Sequence, residues 1–317
     1  MMRKIIGIIL AAILTVGMIP EASGEGRPHK LIALTFDDGP HALYTVQLLN
    51  GLKERNVPAT FFFLGQRAEQ NQDLVRRVYE EGHEVGCHSW SHPDLLKLSN
   101  AAIKNQIDRC RALFDDILGD QPAYLVRPPY GNADRRVRTA VDQVMLTWSV
   151  DPLDWKLLDE EKVYQNIIAE ARDGAIILCH DIHPTTVPAA LRAVDALQAQ
   201  GYEFVTVSEL FRRRGIEPKK GRLSRSCAPG PEDPGPLSEP VISFGTAAEG
   251  QALVTIDAPV PVYYTTDGSF PDGRSIRYTG PFTVTEGTEI RAVAAWKLNG
   301  SRSPISTAKW ERTTAAG

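Results

Sequence analysis

Leu31-Ile32-Ala33-Leu34-Thr35-Phe36-Asp37-Asp38-Gly39-Pro40 is a short apolar run that stops at two carboxylates. In a regular strand, Asp37 and Asp38 would point to opposite sides. Gly39-Pro40 ends the strand at once, so both can turn toward the same mouth. Two ionised carboxylates this close repel one another unless a cation or an arginine neutralises them. A metal on one would leave the other free as a base. Without the histidines further along the chain, the pair would read as a helix N-cap or turn aspartate.

Reading outward, the strand at Leu31–Phe36 is the first of a series. Further strands are predicted at Thr60–Leu64, Glu84–Cys87, Tyr124–Arg127, Val144–Ser149, Ala175–Cys179 and Glu203–Val205. Amphipathic stretches lie between them. One carries Leu74, Val75 and Val78 and ends at Gly82; another carries Ile103, Ile107, Cys110, Phe114 and Ile117 and ends at Gly119; a third carries Ala190, Leu191, Val194 and Leu197 and ends at Gly201. Their i, i+3/i+4 spacing and closing glycines predict helices. A repeated β-then-α order implies an α/β fold with a mainly parallel sheet, open or closed into a barrel.

Every polar motif follows one of these strands. Asp37 and Asp38 follow the first, His88 and His92 the third, Arg127 ends the fourth, Asp151 and Asp154 follow the fifth, and His180 the sixth. Parallel strands present their C-terminal ends on one face, so these residues are expected to converge there. Pro93 disfavours a helix at His92, so His88-Ser89-Trp90-Ser91-His92 is expected to be a loop. Two imidazoles with a carboxylate leave coordination positions open, as in a catalytic metal site. Arg127 calls for a carboxylate partner once buried, and Pro128-Pro129 stiffens the segment that leads to the Tyr130 backbone N–H. A carboxylate beside His180 would raise its pKa and keep it protonated as an acid.

The N-terminus reads as an export signal over residues 1–24. Arg3 and Lys4 precede an apolar run, Ile5 to Ile19, and Ala22-Ser23-Gly24 offers a cleavage site. The run is short for a membrane span, and no other segment qualifies. Residues 28–215 form the first expected domain. Residues 216–240 are rich in Pro and Gly and read as a linker; Cys227 within it is expected to be exposed. Residues 241–312 read as a small all-β sandwich, with strands at Leu253–Ile256, Val262–Thr266, Phe282–Val284 and Glu289–Trp296. Cys87 and Cys179 read as small buried hydrophobes, and the four cysteines show no paired spacing. The net charge of -4 over 317 residues argues against nucleic acid as a partner. The basic runs Arg212-Arg213-Arg214 and Lys219-Lys220 read as a solvated helix end and linker.

Thr35-Phe36-Asp37-Asp38-Gly39-Pro40, His88-Ser89-Trp90-Ser91-His92, Arg127-Pro128-Pro129-Tyr130-Gly131, Asp151-Pro152-Leu153-Asp154-Trp155 and Leu178-Cys179-His180 together resemble the polysaccharide deacetylases, carbohydrate esterase family 4, with their NodB homology domain. The resemblance implies a distorted (β/α) barrel of about seven strands. It implies Asp38, His88 and His92 as ligands of a metal, zinc or another divalent ion such as cobalt. Asp37 would be the general base and His180 the general acid. Arg127 would orient Asp37, and Asp154 would tune His180. The Tyr130 N–H would meet the oxyanion, and Trp155 and Leu178 would line the acetyl pocket. The implied substrate is an N-acetylated polysaccharide outside the cytoplasm: peptidoglycan, a chitin-like oligosaccharide or an exopolysaccharide. An O-acetyl xylan esterase of the same fold and a non-catalytic carbohydrate-binding wall protein are the alternatives. A glycosidase would need its two carboxylates several ångströms apart across a sugar, which the adjacent Asp37 and Asp38 do not suit.

Tyr263-Tyr264-Thr265-Thr266-Asp267-Gly268-Ser269, Tyr278-Thr279-Gly280-Pro281-Phe282 and Glu289-Ile290-Arg291-Ala292-Val293-Ala294 resemble the immunoglobulin-like C-terminal domain of chitobiase/β-hexosaminidase proteins. Its tyrosines would either pack in the core of a spacer or stack on sugars, and core and spacer is the expected reading.

Overall fold

A computed structural model describes residues 30–121, 123–227, 235–248, 250–272, 275–296 and 301–311. The export segment read at residues 1–24 lies outside the described residues. The first unit is α/β, and its strands are β1 Lys30–Asp37, β2 Thr60–Phe63, β3 Glu84–Cys87, β4 Met145–Leu146, β5 Ala175–His180, β6 Tyr202–Phe204 and β7 Leu223–Ser224. Its helices are α1 Tyr44–Glu54, α2 Gly65–Gln70, α3 Gln72–Glu80, α4 Asn100–Leu118, α5 Arg135–Val141, α6 Asp154–Leu157, α7 Glu160–Glu170, α8 Thr186–Ala199 and α9 Val207–Arg213. The periodic stretches read from the sequence are α3, α4 and α8.

All the pairings of β1 are parallel. It takes β2 on one side and β5 on the other, with β6 beside its first residues; β3 continues beyond β2. Because side chains alternate across a strand, β1 builds two cores. Ile32, Leu34 and Phe36 pack outward with Leu48, Leu52, Phe114 and Val194 of the helices. Leu31 and Ala33 pack inward with Phe62, Leu125, Leu146 and Ile176. Thr35 and Asp37 continue the inward face, so the polar groups sit above an apolar floor.

Two predicted strands shrink. Tyr124–Arg127 contributes isolated parallel bridges at Val126 alone, to Cys87 and Met145. Pro128 and Pro129 follow at once, and a proline has no N–H for a ladder. Val144–Ser149 narrows to β4 because the segment changes partners. Met145 and Leu146 pair with β7, whereas Ser149 and Val150 both donate to the Ile176 carbonyl. Val150 then bridges Ile177 of β5.

The stretch read as a linker also needs correction. β7 lies inside it and pairs with β4, and Cys227 is 1% exposed within the inner core. Its N–H donates to the Gly174 carbonyl at 2.9 Å. Gly174 has φ 76°, and a Cβ there would stand 1.6 Å from the Cys227 carbonyl oxygen. The basic run is likewise not a solvated helix end: Arg213 and Arg214 are buried and paired with Glu203 and Asp173. Their helix, α9, lies across the N-terminal ends of β2 and β3. The Val207 N–H donates to Thr60 at 3.0 Å, and the Ser208 N–H donates to Glu84 at 3.1 Å.

The C-terminal unit is all-β. Its strands are β8 Val241–Thr246, β9 Gln251–Asp257, β10 Val262–Thr265, β11 Ile276–Arg277, β12 Phe282–Thr285, β13 Glu289–Ala294 and β14 Ser306–Lys309. They form antiparallel sheets ordered β12-β9-β8 and β11-β10-β13-β14. Val254 and Val284 of one sheet share a core with Tyr264, Ile290 and Ala292 of the other. β8 was not predicted, because it is largely exposed and lacks apolar alternation. The Arg302 guanidinium docks this unit by lying 3.8 Å above the Tyr79 ring of α3.

All four thiols are free and buried. In the native, reduced protein none should react with an aromatic disulfide reagent at the rate of an exposed thiol, and fast labelling of Cys227 would contradict its packing. Gly174→Ala should destabilise by more than about 1 kcal/mol in denaturant unfolding and make Cys227 labelling faster.

Candidate active site

The parallel register sets Asp37 of β1 directly beside His180 of β5. Both are at strand ends and point to the same face, as Thr35 and Leu178 do one step below. Asp37 is 2% exposed. Its Oδ1 accepts from Arg127 Nη1 at 2.6 Å, and the same nitrogen donates to Thr35 Oγ1 at 2.8 Å. The guanidinium is fully buried, 4.2 Å above the Phe62 ring, and also donates to the Thr147 carbonyl. Burial raises the pKa of Asp37, and the charges of Arg127 and His180 oppose this only in part.

Asp38 follows with φ 71°, a conformation that aspartate adopts more readily than most residues. That turn brings its Oδ1 to 3.5 Å from His88 Nε2 and 3.6 Å from His92 Nε2. One ligand atom from each of these three residues lies within 4.8 Å of the others. Asp38 Oδ1 is buried and has no hydrogen-bond partner among the described residues. His88 Nδ1 is 2.8 Å from the Arg127 carbonyl, so it carries the proton and Nε2 turns its lone pair inward. Burial lowers His88 to a pKa of about 3, despite the nearby Asp38 charge, which keeps the ring neutral. An unpartnered carboxylate oxygen facing two imidazoles fits a divalent cation, and these three residues could hold one.

His180 is held by Asp154, the first residue of α6. Its Nδ1 is 2.9 Å from Asp154 Oδ1, and its backbone N–H donates to Oδ2 at 2.7 Å. Burial would lower its pKa. The Asp154 hydrogen bond and the charges of Asp154, Asp37 and Asp38 outweigh burial and lift it to about 9.

The remaining expected residues are placed less uniformly. Tyr130, at φ 60°, is 60% exposed with its ring 4.6 Å from that of His92. Trp155 is half exposed beside Asp154, whereas Leu178 is buried below His180. Asp151 does not join the His180 pair; its Oδ1 accepts from the Leu153 N–H.

The polysaccharide deacetylase family matches residues 24–148, and a family described as Fn3 associated matches residues 253–310. A peptidoglycan-N-acetylglucosamine deacetylase of Bacillus cereus is 37% identical over 191 residues, which are 58% of this chain and 89% of that protein. The chain belongs to the polysaccharide deacetylase family. The peptidoglycan-N-acetylglucosamine deacetylase PgdA of Listeria monocytogenes is 45% identical over 193 residues, 61% of this chain. The match spans 41% of that relative's length. A solved family 4 acetyl xylan esterase from Clostridium thermocellum, in complex with a cobalt ion, is 35% identical with a TM-score of 0.59, covering 62% of this chain and 98% of that one.

In this polysaccharide deacetylase chain, several supporting residues escaped the sequence reading. Thr35 shares Arg127 with Asp37, and Thr186 donates to Asp154 Oδ2 at 2.8 Å. Asp181 is fully buried and accepts from Thr45, with its carboxylate against Gly39, where a Cβ would stand 2.3 Å from it. Each acts across the fold on a residue remote in sequence, so no local spacing marks it.

Asp154→Asn should remove the charge that holds His180 protonated while burial still opposes protonation. The His180 ring should then titrate well below 9 in a metal-free NMR titration. An unchanged midpoint would show that Asp154 is not the cause.

Proposed function

We propose that this chain is a metal-dependent hydrolase that removes acetyl groups from N-acetylglucosamine residues of a polysaccharide and releases acetate. The observation that carries this reading is the unpartnered Asp38 Oδ1 facing His88 and His92, with Asp37 and His180 in register beside it. Peptidoglycan is the favoured polymer, because two relatives bear that name.

Asp38, His88 and His92 hold the ion, zinc or another divalent metal such as cobalt. When bound, such an ion polarises an acyl oxygen and lowers the pKa of water. Asp37 takes the proton of the attacking water, and a carboxyl whose pKa is raised by burial is the better base for it. Arg127 keeps Asp37 aimed. His180, protonated below about 9, gives its proton to the leaving amine, and Asp154 holds the ring in place. The Tyr130 N–H donates to the developing oxyanion. Trp155 and Leu178 bound the acetyl group.

The finer architecture belongs to the same proposal. The bridges at Val126 and Val150 support a distorted barrel, and the shared core of the two C-terminal sheets supports an immunoglobulin-like sandwich of the chitobiase C-terminal kind. Residues 1–24 are the export signal, so the enzyme works in the cell envelope or outside. Among the described residues no helix is long and apolar enough to cross a membrane. The first domain runs from 28 to 227, and the linker is shortened to 228–240.

Acetate release from peptidoglycan, chitooligosaccharides and acetylxylan, with and without a chelator, tests the reading. Chelator-sensitive release from the first two supports amide hydrolysis. Release from acetylxylan alone would favour the O-acetyl esterase that one structural relative represents. Glycan binding without acetate release would overturn the enzyme reading. Asp37→Asn should lower turnover by about 100- to 10,000-fold with metal content unchanged, whereas His88→Ala should lose the metal. Activity should fall on the acid side as Asp37 takes a proton and on the alkaline side as His180 loses one near 9.

A further inference from the structure

The loop that carries both imidazoles has an unfavourable backbone. Ser89 has φ 71° and His92 has φ 60°, values that side chains with a Cβ rarely adopt. Such a loop keeps its shape only where its surroundings impose it. Most of the imposing contacts come from α4. Gln106 Oε1 accepts from the Trp90 N–H and the Ser91 N–H, each at 3.0 Å, and Gln106 Nε2 donates to Ser91 Oγ at 3.1 Å. The next N–H, that of His92, donates to Ser89 Oγ at 3.1 Å. Three consecutive N–H groups therefore end on side chains. On the other side, the Gly65 and Gln66 N–H groups donate to the Ser89 and Trp90 carbonyls. The Trp90 ring is clamped as well. A Cβ on Gly65 would stand 2.3 Å from it, and Arg109, one turn along α4 from Gln106, lies 3.5 Å above it. α4 is in turn anchored by Ile103, Ile107 and Cys110, all buried.

We propose that Gln106 is a positioning residue for the metal site, fixing His88 and His92 through the backbone of the loop between them. It touches neither imidazole. Its amide oxygen gathers two N–H groups that the left-handed turn at Ser89 leaves pointing the same way, so the loop is preformed before an ion arrives. Preforming matters because a ligand set that must be ordered on binding loses affinity in the ordering. The inference rests on the reading of Asp38, His88 and His92 as ligands.

Cobalt(II) titration of the metal-free protein, followed by its visible absorbance, with zinc measured by competition, separates the possibilities. Q106L keeps the volume and loses every hydrogen bond; it should bind both ions about 10- to 100-fold more weakly, with an altered cobalt spectrum. Q106E keeps the double acceptor and should restore near wild-type affinity. Q106N, polar but too short to reach both N–H groups, should behave like Q106L and serves if Q106L folds poorly. Thermal unfolding of the metal-free proteins is the control: a merely structural role would lower the Tm and leave affinity alone. Wild-type affinity in Q106L and Q106N, or weak binding by Q106E, overturns the inference while leaving the metal site intact. No uptake by the wild-type protein overturns both.

Discussion

Arg127 holds both halves of the site. Its guanidinium, wholly out of water, is tied to Asp37 and Thr35; its carbonyl holds Nδ1 of His88. A buried guanidinium without a carboxylate is severely destabilising, and so is the reverse. The strand end at Asp37 and the imidazole at His88 are therefore set by one residue on a third segment. Pro128 and Pro129, which cut short the pairing of that segment, also keep it from shifting along its neighbours. The pair contributes less to net stability than to placing two groups whose own strands would leave them free to wander.

The second fixed point is the register of β1 on β5. A slip of one residue would turn Asp37 or His180 to the outer face, among the side chains of Phe36 and Cys179. The apolar pattern on both faces prevents that slip. The Asp154 carboxylate then grips His180 by both ring and backbone, so the imidazole has neither a free rotation nor a free pKa.

The parallel order of the sheet and the residues at its C-terminal end could be read from the sequence because five of the seven predicted strands end in an unusual polar group. Asp37, Asp38, His88, His92, Arg127, Asp154 and His180 do meet there. Leu178 is buried one step below them, and Trp155 stands exposed at the mouth. What stayed hidden has a common physical cause. Val126 and Val150 pair for single residues, and Cys227 is buried by a chain segment whose composition resembles a spacer. Gln106, Thr186 and Asp181 act on partners that only the closed fold brings near. β8 has almost no buried face, so nothing in its pattern could announce it.

α9 closes the lower end of the first unit, its Val207 and Ser208 N–H groups bonded to Thr60 and Glu84, with Leu31 and Ala33 of the inner core above them. The inner core thus closes the site from beneath, while Asp38 and His92 reach solvent and Tyr130 and Trp155 stand exposed. A long chain in contact with Tyr130 and Trp155 would cover that exposed side. Occupancy by such a chain would then limit the exchange of water at Asp38 and His92.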